Sequence, residues 1–173
     1  MSEERDKQIS MFLNRLDVLS TGERAALKRS AGKMLHEADG RAIAAFYKCY
    51  PPVSEEKQAK WFAAACIYCM WDWEKENRNT RPLQDILSDL RKDETLSESM
   101  QHRLTGLLDL KWDHDGYLLT KLVRIIKLVK AKGHVVDCVS LLSDLELWDD
   151  WNSDNQYIQR KWARSFYQDN SAK

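Results

Sequence analysis

The chain has 173 residues, with 27 Lys plus Arg against 27 Asp plus Glu, so its formal net charge is zero and its pI is about 6.9. At 43% hydrophobic and 31% charged it has the makeup of a soluble globular protein, in one domain or two small lobes. The charge balance excludes a uniformly basic, histone-like protein, and the longest apolar run, FAAACIYCMW, is too short to span a bilayer.

The opening stretch MSEERDKQIS is polar with no apolar run behind it, so no secretory signal is expected and the cytoplasm is the expected location. In that reducing compartment Cys49, Cys66, Cys69 and Cys138 are expected as free thiols. Only six Gly and three Pro punctuate the chain, and no stretch alternates with period two. The expected fold is therefore all-α, a two-lobed helical bundle of about eight to nine helices.

In chain order, a first helix is expected from Glu4 to Leu19, with Ile9, Phe12, Leu13 and Leu16 on one side. Ser20 then stands three residues before Glu23, which is capping-box spacing, and a second helix is expected through GERAALKRSAGKML. Its apolar stripe is Leu27, Ala31, Met34 and Leu35. A third helix, Arg41 to Tyr50, should end at Pro51-Pro52, because a residue before proline is pushed out of helical geometry. Ser54 opens a fourth helix that fades in the polar loop EKENRNTRP. A short helix covers Leu83 to Leu90, and the polar segment RKDETLSES marks the expected boundary between lobes 1–95 and 96–173. Beyond it, helices are expected near 98–110, 116–132, 138–148 and 154–168.

Charge is segregated along this second half. Residues 103–132 hold seven Lys/Arg against three Asp, whereas 137–154 holds six acids and no base. On the helix after Gly116, counted from Lys121 at 100° per residue, Ile125, Leu118, Val129, Leu122, Ile126 and Leu119 fall between about 40° and 160°. Lys121, Arg124, Lys127, Lys130 and Lys132 take the remaining arc, with no acid at i±3 or i±4 to neutralise them. The last helix repeats the pattern: Ile158, Trp162 and Phe166 form the stripe, with Arg160 and Arg164 opposite and Lys161 at its flank. The second helix likewise sets Arg29 and Lys33 away from its stripe, with Arg24 and Lys28 at its edge, and three helices with basic outer faces suggest a polyanion surface, which binds phosphates without reading sequence.

Other motifs carry less. DHDG before the basic helix looks like part of a calcium loop. With Gly116 as the invariant glycine, however, Lys111 falls where the first carboxylate belongs and Leu122 where the bidentate Glu belongs. Asp113 or Asp115 is better read as capping the helix. Cys66-Ile67-Tyr68-Cys69 has CxxC spacing but sits mid-helix, so buried thiols are expected rather than a zinc or redox site. His36, His102, His114 and His134 are isolated, and no GxSxG, P-loop or GxGxxG occurs. No catalytic residue, metal site or cofactor is expected. Trp61, Trp71, Trp148 and Trp162 fall at core positions, and Trp112 is a candidate for base stacking.

Three stretches carry a family likeness: LSTGERAALKRSAG at 19–32, DGYLLTKLVRIIKLVKAKG at 115–133 with VDCVSLLSDLELW at 136–148, and QRKWARSFY at 159–167. They resemble the CasB family, the small subunit of the type I-E CRISPR surveillance complex Cascade. The resemblance runs from Leu13 to Tyr167, with Cys138 standing where a tryptophan is expected. It implies a non-catalytic helical protein that works in antiviral defence beside other Cascade subunits, a second copy of itself, crRNA and target DNA, with no membrane. It also implies that basic surfaces hold the displaced DNA strand and stabilise the R-loop. On matching positions it points to Lys28, Arg29, Lys121, Arg124, Arg160, Lys161 and Arg164; the helical-wheel reading adds Lys111, Lys127 and Lys130. The alternative is a structural helical adaptor that docks on acidic protein partners without touching nucleic acid.

Overall fold

Capping chemistry sets where several helices begin. The computed structural model describes residues 2–73, 79–149 and 156–168. Among them the chain forms nine α-helices: α1 (Ser2–Leu16), α2 (Thr21–Arg29), α3 (Gly40–Cys49), α4 (Glu55–Tyr68), α5 (Leu83–Arg91), α6 (Ser97–Leu108), α7 (Tyr117–Ala131), α8 (Cys138–Glu146) and α9 (Tyr157–Tyr167). The fold is all-α; apart from helices and turns, the described residues contain only an isolated bridge between Arg81 and Val136.

Ser20 caps α2 as its spacing implied, its hydroxyl accepting from Glu23 N at 3.1 Å. The Glu23 carboxylate accepts in turn from Lys48 Nζ at 3.1 Å and from the Ser20 hydroxyl at 3.2 Å. The bond from Lys48, then that from Ser20, holds the Glu23 carboxyl below its usual range against the opposing pull of desolvation. Ser20→Ala removes one capping acceptor and one carboxylate partner, and is expected to cost about 1 kcal/mol. In thermal denaturation that is a fall of about 2–4 °C for a chain of this size; an unchanged midpoint would remove the cap from the account.

The expected continuation of α2 through SAGKML does not form. The Ser30 hydroxyl bonds back to Ala26 O at 3.1 Å, and Gly32 turns the chain with φ 94°, a conformation other residues rarely adopt. Only a 3-10 turn, Leu35–Glu37, follows. Asp39 then caps α3, accepting from Ala42 N at 2.9 Å. α1 stops at Leu16 rather than Leu19, and the N–H groups of Asp17, Val18 and Leu19 bond three residues back instead of four. The loop expected at EKENRNTRP lies partly outside the described residues, as does the start expected for the last helix at 154.

The chain divides into two compact units, 1–78 with 138–146 and 79–137 with 147–173. Relative to lobes 1–95 and 96–173, α5 goes with the second unit and α8 with the first. The reason is which apolar face each helix covers. α5 buries Leu83, Ile86, Leu87 and Leu90 and packs on α9, α6 and α7, while α8 packs on α1 and α4. RKDETLSES covers the end of α5, a turn over 92–96 and the start of α6, all inside the second unit. There Asp93 Oδ1 accepts from Thr95 Oγ1 at 2.7 Å and Thr95 N at 2.9 Å, and these bonds hold its carboxyl below the usual range.

In the first unit the core is aromatic: Phe12 lies 5.0 Å from Trp61 and 6.0 Å from Phe46, and Phe46 lies 5.4 Å from Phe62. In the second, Trp148 and Trp162 meet edge to face at 5.3 Å. Trp61, Trp71, Trp148 and Trp162 are all buried. So are all four cysteines, as free thiols. Burial pushes the Cys66 thiol well up and that of Cys69 up to about 12, which leaves the CxxC pair un-ionised at neutral pH. No helix among the described residues is long and apolar enough to cross a membrane.

Candidate nucleic-acid interface

Gly116 is the N-cap of α7, and its φ of 71° suits glycine. Asp113 does not cap the helix. Its Oδ1 accepts from Asp115 N at 3.1 Å and Gly116 N at 3.2 Å, closing the turn that precedes it. The expected stripe is the buried one, and Val123 joins it. Lys121, Arg124 and Lys127 are exposed, but Lys130 is half-buried. On the wheel Lys130 stands at about 180°, between Leu119 at about 160° and Val123 at about 200°, so its stem lies along the apolar arc.

α6 packs on α7, and a cleft of about 540 Å³ opens between them. His102, Arg103 and Gly106 line it from α6, and Lys121, Arg124 and Ile125 from α7. A Cβ placed on Gly106 would stand 3.3 Å from Lys121 Nζ. Arg103 Nε donates to Ser99 Oγ at 3.3 Å. Among the described residues no carboxylate oxygen lies within 4.0 Å of the charged nitrogens of Arg103, Lys121 or Arg124. Three permanent cations thus share the cleft with one lining carboxylate, Asp109. A concave positive surface of this kind raises the local concentration of anions.

The other expected site residues lie elsewhere. Lys28 and Arg29 are exposed at the end of α2 in the first unit, and Lys127 is exposed on α7. Arg160 and Arg164 are exposed on α9, and Lys161 is half-buried there. Lys111, Lys130, Arg160 and Lys161 already interact with other groups of the chain. None of these eight lines the cleft. α7 and α9 both pack on α5.

Sequence reasoning missed His102, Arg103 and Gly106, because α6 carries no run of cations. The signal was a glycine inside a helix, three residues after an arginine. Trp112 is half-buried, and its backbone N–H donates to Asp149 Oδ2 at 2.6 Å. Among the described residues Tyr47, Tyr117, Tyr157 and Tyr167 are exposed, and of these Tyr117 and Tyr157 are each the first residue of a basic helix. Some acids of the 137–154 block turn inward. Asp144 is buried, Glu146 accepts from Trp61 Nε1 at 2.6 Å, and Asp149 holds Trp112, while 150 and 154 lie outside the described residues.

The family described as CRISPR-associated protein Cse2 matches residues 23–167. No curated protein matches the chain. Among solved structures, the chain is similar to CasB from M. ruber, at 19% identity and a TM-score of 0.70, covering 94% of this chain and 92% of that one. It is also similar to CasB from Thermus thermophilus, at 24% identity and a TM-score of 0.69, covering 94% and 97%. A chain of a CRISPR RNA-guided surveillance complex matches at 20% identity and a TM-score of 0.71, covering 96% and 93%.

Proposed function

Because the chain belongs to the family of CRISPR-associated protein Cse2, we propose that it is the non-catalytic small subunit of a cytoplasmic Cascade surveillance complex. In this reading it holds the displaced DNA strand on basic helical faces. Its partners are the other Cascade subunits, crRNA, target DNA and a second copy of itself. The observation that carries the reading is the pair Lys121 and Arg124, exposed on one face of α7 and lacking a carboxylate partner among the described residues.

Opening a duplex against a guide RNA exchanges base pairs of similar stability, so modest contacts to the freed strand bias the balance. Those contacts must accept any sequence. Phosphates are the one feature every strand shares, and lysine and arginine on a rigid helix meet them without reading bases. No bond is made or broken in this role, which needs neither nucleophile nor metal.

The purified chain is expected to bind single-stranded oligonucleotides of different sequence equally. Its affinity should fall with salt at a log–log slope of about −0.7 for each phosphate contacted. Fluorescence anisotropy between about 50 and 200 mM salt measures this. A flat salt response, or a strong preference for one sequence, contradicts strand-holding.

A further inference from the structure

The α6–α7 cleft has features that a merely solvated basic face does not need. It is concave, and its volume of about 540 Å³ falls within the range of ligand-sized pockets. Two helices converge on it with three cations, although only α7 reads as basic in sequence. The Arg103 Nε is occupied by Ser99 Oγ, which steadies the guanidinium and leaves its terminal nitrogens for an anion. Gly106 stands inside α6, where alanine would favour the helix more. A methyl group there would stand 3.3 Å from the Lys121 ammonium, which would have to shift by a few tenths of an ångström.

We propose that this cleft is a phosphate seat, in which Arg103, Lys121 and Arg124 together hold one phosphate group. The assignment rests on the strand-holding reading and makes it specific: one phosphate is shared by three side chains, rather than each cation meeting its own. A phosphate offers several charged oxygens to several donors at once, which matches two guanidinium forks and an ammonium better than a lone carboxylate does. The group is either a phosphodiester within a strand or the terminal phosphate of a nucleotide.

A double-mutant cycle on the full chain tests the sharing, with a fluorescent oligodeoxythymidylate as probe. Arg103→Gln and Arg124→Gln are each expected to weaken binding roughly 5- to 10-fold, and the double variant by no more than about 20-fold, because both act on one phosphate. Arg164→Gln combined with Arg124→Gln, whose side chains do not share the cleft, should give the full product of the single effects. If the losses for Arg103 and Arg124 multiply, the seat is wrong and strand-holding stands. If the unaltered chain binds no oligonucleotide, both fall.

Gly106→Ala is expected to raise the thermal midpoint while weakening the oligonucleotide about twofold through displacement of Lys121. A raised midpoint with unchanged affinity removes Gly106 from the seat. Competition by thymidine 5′-monophosphate identifies a terminal-phosphate site. Its failure against a probe that itself binds in the coupled manner identifies a phosphodiester site. Equal competition by polyglutamate at matched charge would overturn the phosphate assignment.

Discussion

Glutamate at both Lys121 and Arg124 is expected to weaken single-stranded DNA binding by about 100-fold, roughly 2.8 kcal/mol. Each substitution removes a charge-assisted contact and puts a like charge before the phosphate. Both side chains are exposed and neither has a carboxylate partner among the described residues, so the fold loses little. The thermal midpoint should therefore stay within the effect of about 0.5 kcal/mol typical of surface changes. The informative comparison is DNA retention against incorporation into the complex. Loss of retention with incorporation intact supports strand-holding. Loss of incorporation with retention unchanged would mean that these cations dock on an acidic protein partner, and the reading would be a structural adaptor.

Glu146→Ala is expected to destabilise the fold by about 3 kcal/mol. The Glu146 side chain is 4% exposed. Its Oε1 accepts from Trp61 Nε1 at 2.6 Å and lies 3.7 Å from Lys57 Nζ, while its Oε2 lies 3.9 Å from Arg5 Nε. At 3.9 Å the Arg5 pair attracts without hydrogen bonding, and Lys57 is 46% exposed and so screened by solvent. The Trp61 bond and the mostly buried Arg5 charge therefore carry the effect. Alanine leaves an indole N–H without its acceptor beneath a guanidinium that has lost its counter-charge. Glu146→Gln keeps an acceptor for Trp61 and should cost roughly half as much. Urea denaturation followed by tryptophan fluorescence measures both. A loss below about 1 kcal/mol for the alanine variant would show that the carboxylate is not what ties α8 to α1 and α4.

The two expectations differ in how they could be read. The α7 cations were legible because burial on a helix follows a local period. Leu118, Leu122, Ile125 and Val129 repeat at steps of three and four, and whatever lies opposite must face out. The reading failed where the period was applied too narrowly: Val123 widened the buried arc and drew Lys130 partly into it. Glu146 and Asp149 stand in the acidic block 137–154, whose composition says nothing of which members turn inward. Their hydrogen-bond partners come from 85 and 37 residues away in sequence, and no local pattern announces such a pairing.

The sequence by itself determined that the chain is helical, roughly where most helices begin and which side of α1, α7 and α9 is apolar, because capping, proline and the i to i+4 repeat act within a few residues; it overran the ends of α1 and α2. It also determined that α7 and α9 bear cations opposite their apolar stripes. Only the tertiary structure decided that α5 joins the second unit and α8 the first, and that acids at 144, 146 and 149 turn inward. It likewise decided that α6 brings Arg103 and Gly106 to Lys121 and Arg124. Those outcomes depend on which apolar face finds which other, and on distant donors finding acceptors. Such a competition among all the helices is resolved only when the chain packs.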